Sequence, residues 1–299
     1  MRVFVTGGTG AIGSYAVPAL VQAGHAVRAL ARSDAKAEAL RSHGATPISL
    51  SLFDTDALTR AFENHDAVIN LVSALPSTTT FVFRSAWREC ERVRTEGSAS
   101  VVDAAQAAGV PRLLQESVAM IYSDGGSTWI NEDHPVDHYP IARGNHAAEG
   151  NARRFDAAGG NATILRFGVF YGRGAAHSHQ ILELARHHVG FAAGRPDSYI
   201  SSIHVADAGD AVIAALRCAA GTYNIVDDQP VTKRQYARVC ADAVGKKLWV
   251  FAPGRVGLLL GDRLTSMTRS LRVSNAQFRD AAAWQPRYPS VREGYQQMA

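Results

Sequence analysis

Gly7, Gly10 and Gly13 stand at the spacing G-x-x-G-x-x-G within Met1-Arg-Val-Phe-Val-Thr-Gly-Gly-Thr-Gly-Ala-Ile-Gly13. Glycines so placed let a chain turn back sharply and bring backbone N–H groups close to an anion. Val3 to Val5 reads as a buried strand before the turn, and an apolar-periodic helix follows from about Ala11 to Ala23. Between strand and helix, the chemistry of such a turn is to hold a diphosphate at the positive helix end. Gly8 to Gly13 also has the P-loop spacing, but Ser14 stands where that motif requires Lys, which sets a nucleotide triphosphatase aside. Gly7, Thr9, Gly10, Ala11, Ile12 and Gly13 are therefore the candidates for holding the pyrophosphate of a dinucleotide.

Two later stretches complete that candidate site. A strand from His25 to Ala31 is followed by Arg32-Ser33-Asp34, where the adenosine ribose of a dinucleotide would lie. A carboxylate ending that strand would accept from the 2′-OH of NAD. Here Ala31 ends it and Arg32 comes next, and a guanidinium suits a 2′-phosphate. NADP(H) is the expected cofactor, with Arg32 and Ser33 contacting it. Asp34 keeps NAD(H) possible, and reads equally as the N-cap of a helix from Ala35 to His43. Ala67 to Val72 reads as a strand buried on both faces. Its end, Leu71, Val72 and Ser73, opens a polar loop at the sheet edge where such folds hold ligands.

The elements that must position these residues alternate along the chain. Further strands are expected at Thr46–Leu50, Arg112–Ser117, Ala162–Arg166 and Gly221–Val226. Helices are expected after Asp54, from Trp87 to Ala108, from Ile141 to Ala158, and after the capping box Thr232/Gln235. Pro18 inside the first helix predicts a kink or a lost hydrogen bond. Alternation throughout argues for an α/β fold with a parallel sheet covered on both faces. At 46% hydrophobic, 299 residues can bury a large core, and +4 spread over such a length with no basic run gives no nucleic-acid footprint. Cys90, Cys218 and Cys240 are isolated, as expected in a reducing cytoplasm. The strand beginning at residue 2 leaves no room for a signal peptide, and the aliphatic run Val256–Leu260 is too short to span a bilayer. His177, His179, His187 and His188 lack a carboxylate or thiolate to complete a metal set, so no metal is expected.

Taken together, the segments resemble an extended short-chain dehydrogenase/reductase of the epimerase/dehydratase-like branch. Thr6-Gly-Gly-Thr-Gly-Ala-Ile-Gly13 is similar to its T-G-x-x-G-x-x-G turn, and Ser202-Ile-His-Val-Ala-Asp207 to its I-H-V-x-D segment. Tyr223-Asn-Ile-Val226, Arg272-Val-Ser-Asn275 and Trp284-Gln-Pro-Arg-Tyr-Pro-Ser-Val-Arg-Glu-Gly294 resemble its later patterns. The resemblance implies a Rossmann-type doubly wound parallel sheet over residues 1–170, rejoined by 202–226. A smaller substrate-binding domain would be formed by 171–201 and 227–299. It also implies a small-molecule substrate and a homodimer through the helices near 87–108 and 141–158, while the spread charge and short apolar runs point to no nucleic acid or membrane as partner.

The departures bear on the chemistry. The family's Tyr and Lys at Y-x-x-x-K act as general acid and as the cation that lowers its pKa. Aligned on Glu149, those positions hold Ile141 and Asn145, neither of which transfers a proton. Tyr139-Pro-Ile-Ala-Arg143 offers a Y-x-x-x-R two residues earlier. Glu116-Ser-Val-Ala-Met-Ile-Tyr122 resembles the family's S-S-x-x-x-Y stretch, with Val118 at the usual catalytic serine. Ser117, Tyr122 and Tyr139 are thus the candidate catalytic residues of an atypical member. Glu116 reads as a general base or as the partner of an arginine, with the second favoured, and Arg166 as a residue that orients the cleft. The implied activity is an NADP(H)-dependent oxidoreductase acting on a carbonyl or alcohol. An epimerase or dehydratase recycling bound NAD(P), or a non-catalytic NADP(H) sensor, is the alternative.

Overall fold

In the first half of the chain, short buried strands alternate with helices. They run β1 (Arg2–Thr6), α1 (Gly13–Gln22), β2 (Ala26–Leu30), α2 (Asp34–Ser42), β3 (Thr46–Ile48), α3 (Thr55–Phe62) and β4 (Ala67–Asn70). A long helical segment follows in three pieces, α4 (Arg88–Arg92), a π turn (Val93–Gly97) and α5 (Ser98–Ala107). Then come β5 (Arg112–Val118), β6 (Trp129–Ile130), α6 (Arg143–Ala157) and β7 (Asn161–Phe167). The second half adds β8 (Val169–Tyr171), α7 (Ala176–Arg186), β9 (Val189–Ala193), β10 (Tyr199–Ile200) and β11 (Ser202–His204). It continues with α8 (Val205–Ala215), β12 (Gly221–Ile225), β13 (Val231–Thr232), α9 (Lys233–Ala243) and β14 (Val250–Gly254). The computed structural model describes residues 1–254, 258, 259, 261 and 264–298. Val256, Gly257 and Leu260 of the aliphatic run lie outside the described residues.

Seven strands form one parallel sheet in the order β12-β7-β5-β4-β1-β2-β3. Along β1, Val3 and Val5 face one core with Val17, Leu20, Leu114 and Val212, while Phe4 faces the other with Phe62, Val68, Val102 and Phe155. That alternation is the two-residue period of a strand covered on both sides. The order steps outward from β1 in both directions, so the C-terminal ends of β1 and β4 flank the point where the connections change side, the place where such sheets bind ligands. Beyond β7, β8 pairs with β11 and β9 with β14, and α7 and α9 pack there around Tyr171, Tyr236 and Tyr295. No helix among the described residues is long and apolar enough to cross a membrane.

Several expected boundaries shift for local reasons. Ser33, not Asp34, caps α2, its Oγ accepting from Lys36 N at 3.4 Å, and Asp34 becomes the first helical residue, where its charge favours the helix dipole. The helix expected from Trp87 to Ala108 is broken by the π turn, whose extra residue re-aims the side chains on its inner face. Strand β3 stops at Ile48 instead of Leu50. Helix α1 runs unbroken through Pro18. The Asp54 cap and the Thr232/Gln235 capping box form as expected.

The sheet and α6 are locked by a buried charge cluster. Glu149 accepts from Arg166 Nε and Nη2 at 2.8 Å each, from Ser117 Oγ at 2.7 Å and from Arg153 at 2.7 Å. Burial pushes the Glu149 carboxyl up, but the Arg166 fork and its neighbours outweigh it and hold the group below its usual range. A depressed carboxyl adds stability above its unfolded value, and that stability is lost as pH falls through the folded value. Replacing Glu149 by Gln leaves a buried guanidinium uncompensated, so urea unfolding at pH 7 is expected to show a loss of about 3–5 kcal/mol. Below the range where carboxyls titrate, wild type and variant should converge. A loss under 1 kcal/mol at pH 7 would mean the pair is screened by water.

Candidate functional site

Strand β1 enters the glycine turn fully buried from Val3 to Thr6. Gly7 adopts φ +75°, and a Cβ on it would lie 2.7 Å from the Leu71 carbonyl carbon and oxygen. A Cβ on Gly13 would lie 2.3 Å from the Gly7 carbonyl oxygen. Both positions therefore admit no side chain, and the turn sits directly on the end of β4. The Gly10 N–H closes it on the Gly7 oxygen at 2.9 Å. Ile12 caps α1 without a side-chain acceptor, and the first turn carries no acid. The N–H groups of Ala11, Ile12 and Gly13 find no acceptor among the described residues. A helix end with bare amides and no carboxylate fits the pyrophosphate of a dinucleotide.

The other expected cofactor residues border this cradle. Leu71 is buried and its N–H donates to the Thr6 oxygen at 3.1 Å, while Val72 and Ser73 are half-buried beside it. Thr9 lies in the turn. Arg32 is exposed just past the end of β2, and Ser33 serves the α2 cap.

Across the same edge of the sheet runs a polar ladder that sequence reasoning missed. Thr6 Oγ1 donates to Asn70 Oδ1 at 2.6 Å, Asn70 Nδ2 to Gln115 Oε1 at 2.9 Å, and Gln115 Nε2 to the Glu116 carbonyl at 2.8 Å. Part of the signal was available: Thr6 and Asn70 end otherwise apolar strands, whereas Gln115 sits mid-strand in the mixed sequence of β5. Buried side-chain amides of this kind fix one arrangement of the strand ends.

The three expected catalytic hydroxyls are not brought together on one open face. Ser117 is fully buried with its hydroxyl donating to Glu149. Tyr122 is fully buried, donates to Asn224 Oδ1 at 2.8 Å, and carries the Arg166 guanidinium 4.8 Å from its ring centre. Burial raises its phenol above the ordinary value despite the nearby Arg166. Tyr139 donates to the Met120 carbonyl at 2.9 Å, and Arg269, not Arg143, lies over its ring at 4.8 Å. Burial pushes the Tyr139 phenol up to about 12. Arg143 turns outward to Glu91.

A second cluster lies at the family's Lys position. Arg94 in the π turn donates from Nη2 to Glu116 Oε1 at 2.8 Å and from Nη1 to Asn145 Oδ1. All three residues are buried, and the Cys90 thiol lies beside the guanidinium. Burial works against the Arg94 charge, but the Glu116 carboxylate outweighs it and binds the proton more tightly. Glu116 is thus the partner of an arginine, the reading of it favoured over a general base. Arg94 itself was missed, although it falls four residues after Cys90 on the buried stripe of its helix. Among the described residues no group of three or more His, Cys, Asp or Glu could hold a metal.

The described geometry has close counterparts. Residues 7–219, more than half the chain, match the NAD(P)H-binding family model. A Streptomyces protein named 3-diazoavenalumate denitrifying reductase is 31% identical, the alignment covering 98% of this chain and 99% of that one. A Stigmatella aurantiaca protein named 4-hydroxy-2-methyl-3-oxo-4-farnesyl-3,4-dihydroquinoline-1-oxide ketoreductase is 27% identical over 88% of this chain and 80% of that one. Among solved structures, a human epimerase family protein with NADPH superposes with TM-score 0.81 at 22% identity, covering 100% of this chain and 99% of that one. The Thermus thermophilus UDP-glucose 4-epimerase complex with NAD gives 0.79 at 23% identity, covering 99% and 97%. With a glycine cradle at the end of β1, a seven-stranded parallel sheet and these relatives, the chain belongs to the NAD(P)H-binding family.

Proposed function

We propose that the protein is an NADP(H)-dependent reductase of a small organic acceptor that uses no proton-donating side chain. The acceptor is a ketone or a comparably electron-poor π system. The observation that carries the reading is the bare N-terminal end of α1, seated on β4 by Gly7 and Gly13, with Arg32 and no carboxylate at the end of β2. Ala11, Ile12 and Gly13 would hold the diphosphate and Arg32 a 2′-phosphate. Bound there, the cofactor supplies hydride from its nicotinamide ring. The residues beyond β7, 171–201 and 227–299, would present the substrate.

An epimerase or dehydratase must also take a proton from a hydroxyl or carbon and return it. Ile141 and Asn145 perform no such transfer, and the Ser117, Tyr122 and Tyr139 hydroxyls each hold an internal acceptor. Reduction asks less of the protein. The carbonyl carbon takes the hydride, the π pair moves to oxygen, and water supplies the proton. The names of two relatives, a denitrifying reductase and a ketoreductase, fit acceptors that make no greater demand.

Calorimetry with NADPH and NADH tests the cofactor reading. Arg32→Ala is expected to weaken NADPH by about tenfold to a hundredfold and to leave NADH within a factor of two. Uptake of neither dinucleotide by the folded wild-type chain would overturn the reading. Tyr122→Phe is expected to lower stability by about 1–3 kcal/mol, since it leaves the Asn224 oxygen without its donor, and to keep kcat within about threefold. A fall in kcat of orders of magnitude would return proton transfer to Tyr122.

A further inference from the structure

Resting on the reading just given, we propose that Asn145, oriented by Arg94, is the fixed hydrogen-bond donor for the nicotinamide half of the dinucleotide. The sheet order dictates where that half must go. With the diphosphate at α1 beyond β1 and the adenosine on the β2 side at Arg32, the other half extends over β4 and β5. Glu116, near the C-terminal end of β5, is where Arg94 and Asn145 converge.

The orientation of Asn145 follows from the chemistry of its partner. A guanidinium carries donors only, so the amide atom facing Arg94 is Oδ1. Nδ2 then points away from Arg94, and it finds no acceptor among the described residues. Asn145 retains 8% exposure, so the amide sits at the edge of the core with its N–H still unassigned. The Arg94 charge polarises that N–H, and the adjacent Glu116 carboxylate keeps the guanidinium charged in a buried place.

Local structure is arranged to let Arg94 reach. The π turn projects it from the helix face toward α6. A Cβ on Gly144 would lie 3.0 Å from Arg94 Cβ and 3.3 Å from Glu91 Cα, so glycine there lets α6 come close. Arg94 and Glu116 are sealed from solvent, so the part of the cluster left at its edge for a ligand is the Asn145 amide. An amide donor does not titrate, so it holds an oxygen of the cofactor without moving a proton.

Asn145→Asp separates the two roles. The carboxylate still accepts from Arg94, so a brace survives, but the outward N–H donor is gone. Binding is read by calorimetry with NADPH and with 2′,5′-ADP, which lacks the nicotinamide half, and NADH with ADP serves as a parallel pair. Asn145→Asp is expected to raise the NADPH Kd about three- to tenfold and to leave 2′,5′-ADP within about twofold. Arg94→Gln/Glu116→Gln, which removes the pair without orphaning a buried charge, should show the same split between the two ligands. Unchanged NADPH affinity in folded Asn145→Asp would overturn the proposal, as would equal weakening of both ligands. Failure of the wild type to bind either dinucleotide would instead remove the reductase reading on which it rests.

Discussion

The site depends on one steric constraint, the contact between the Gly13 Cα, the Gly7 carbonyl and the end of β4. A Cβ at either glycine would meet backbone at 2.3 to 2.7 Å, and backbone cannot swing aside as a side chain can. That contact sets α1 directly beyond β1, with its first N–H groups facing out and no acid or side-chain cap to quench them. A helix dipole and unpaired donors arranged this way favour an anion.

Charge on this edge is buried in pairs and not left on single residues. Glu149 gathers Arg166, Ser117 and Arg153, while Arg94 joins Glu116 and Asn145. Each pair ties α6 or the π turn to β5 or β7. Such pairs contribute little net stability against an apolar core, but removing one partner is costly, so they fix geometry more than they add energy. Tyr122, carrying Arg166 on its ring and Asn224 on its hydroxyl, belongs to this framework.

The resulting chemistry is that of a site rich in donors and poor in titrating groups. Burial moves Tyr122 and Tyr139 away from the range where a phenol gives up a proton near neutrality. In the proposed reduction such a site would stabilise developing charge by fixed dipoles, which are effective because they need not reorient during the reaction.

The amino-acid sequence alone determined the sheet, its cofactor turn and most helix ends, because these rest on local rules. Two-residue and helical periods mark the elements, glycine spacing marks the turn, and Asp54 and Thr232 mark caps whose partners lie three residues away. It also exposed the missing Tyr and Lys, since Ile141 and Asn145 are read directly at their positions. Tertiary structure decided what stands in their place. Arg94 and Asn145 are 51 residues apart, Ser117 and Glu149 are 32 apart, and Tyr122 and Asn224 are 102 apart. Whether a hydroxyl faces a cleft or an internal acceptor is set by such long-range pairs, which leave no period in the sequence. The π turn that delivers Arg94 packs against Gly144, 50 residues further along the chain, and no local propensity announces it.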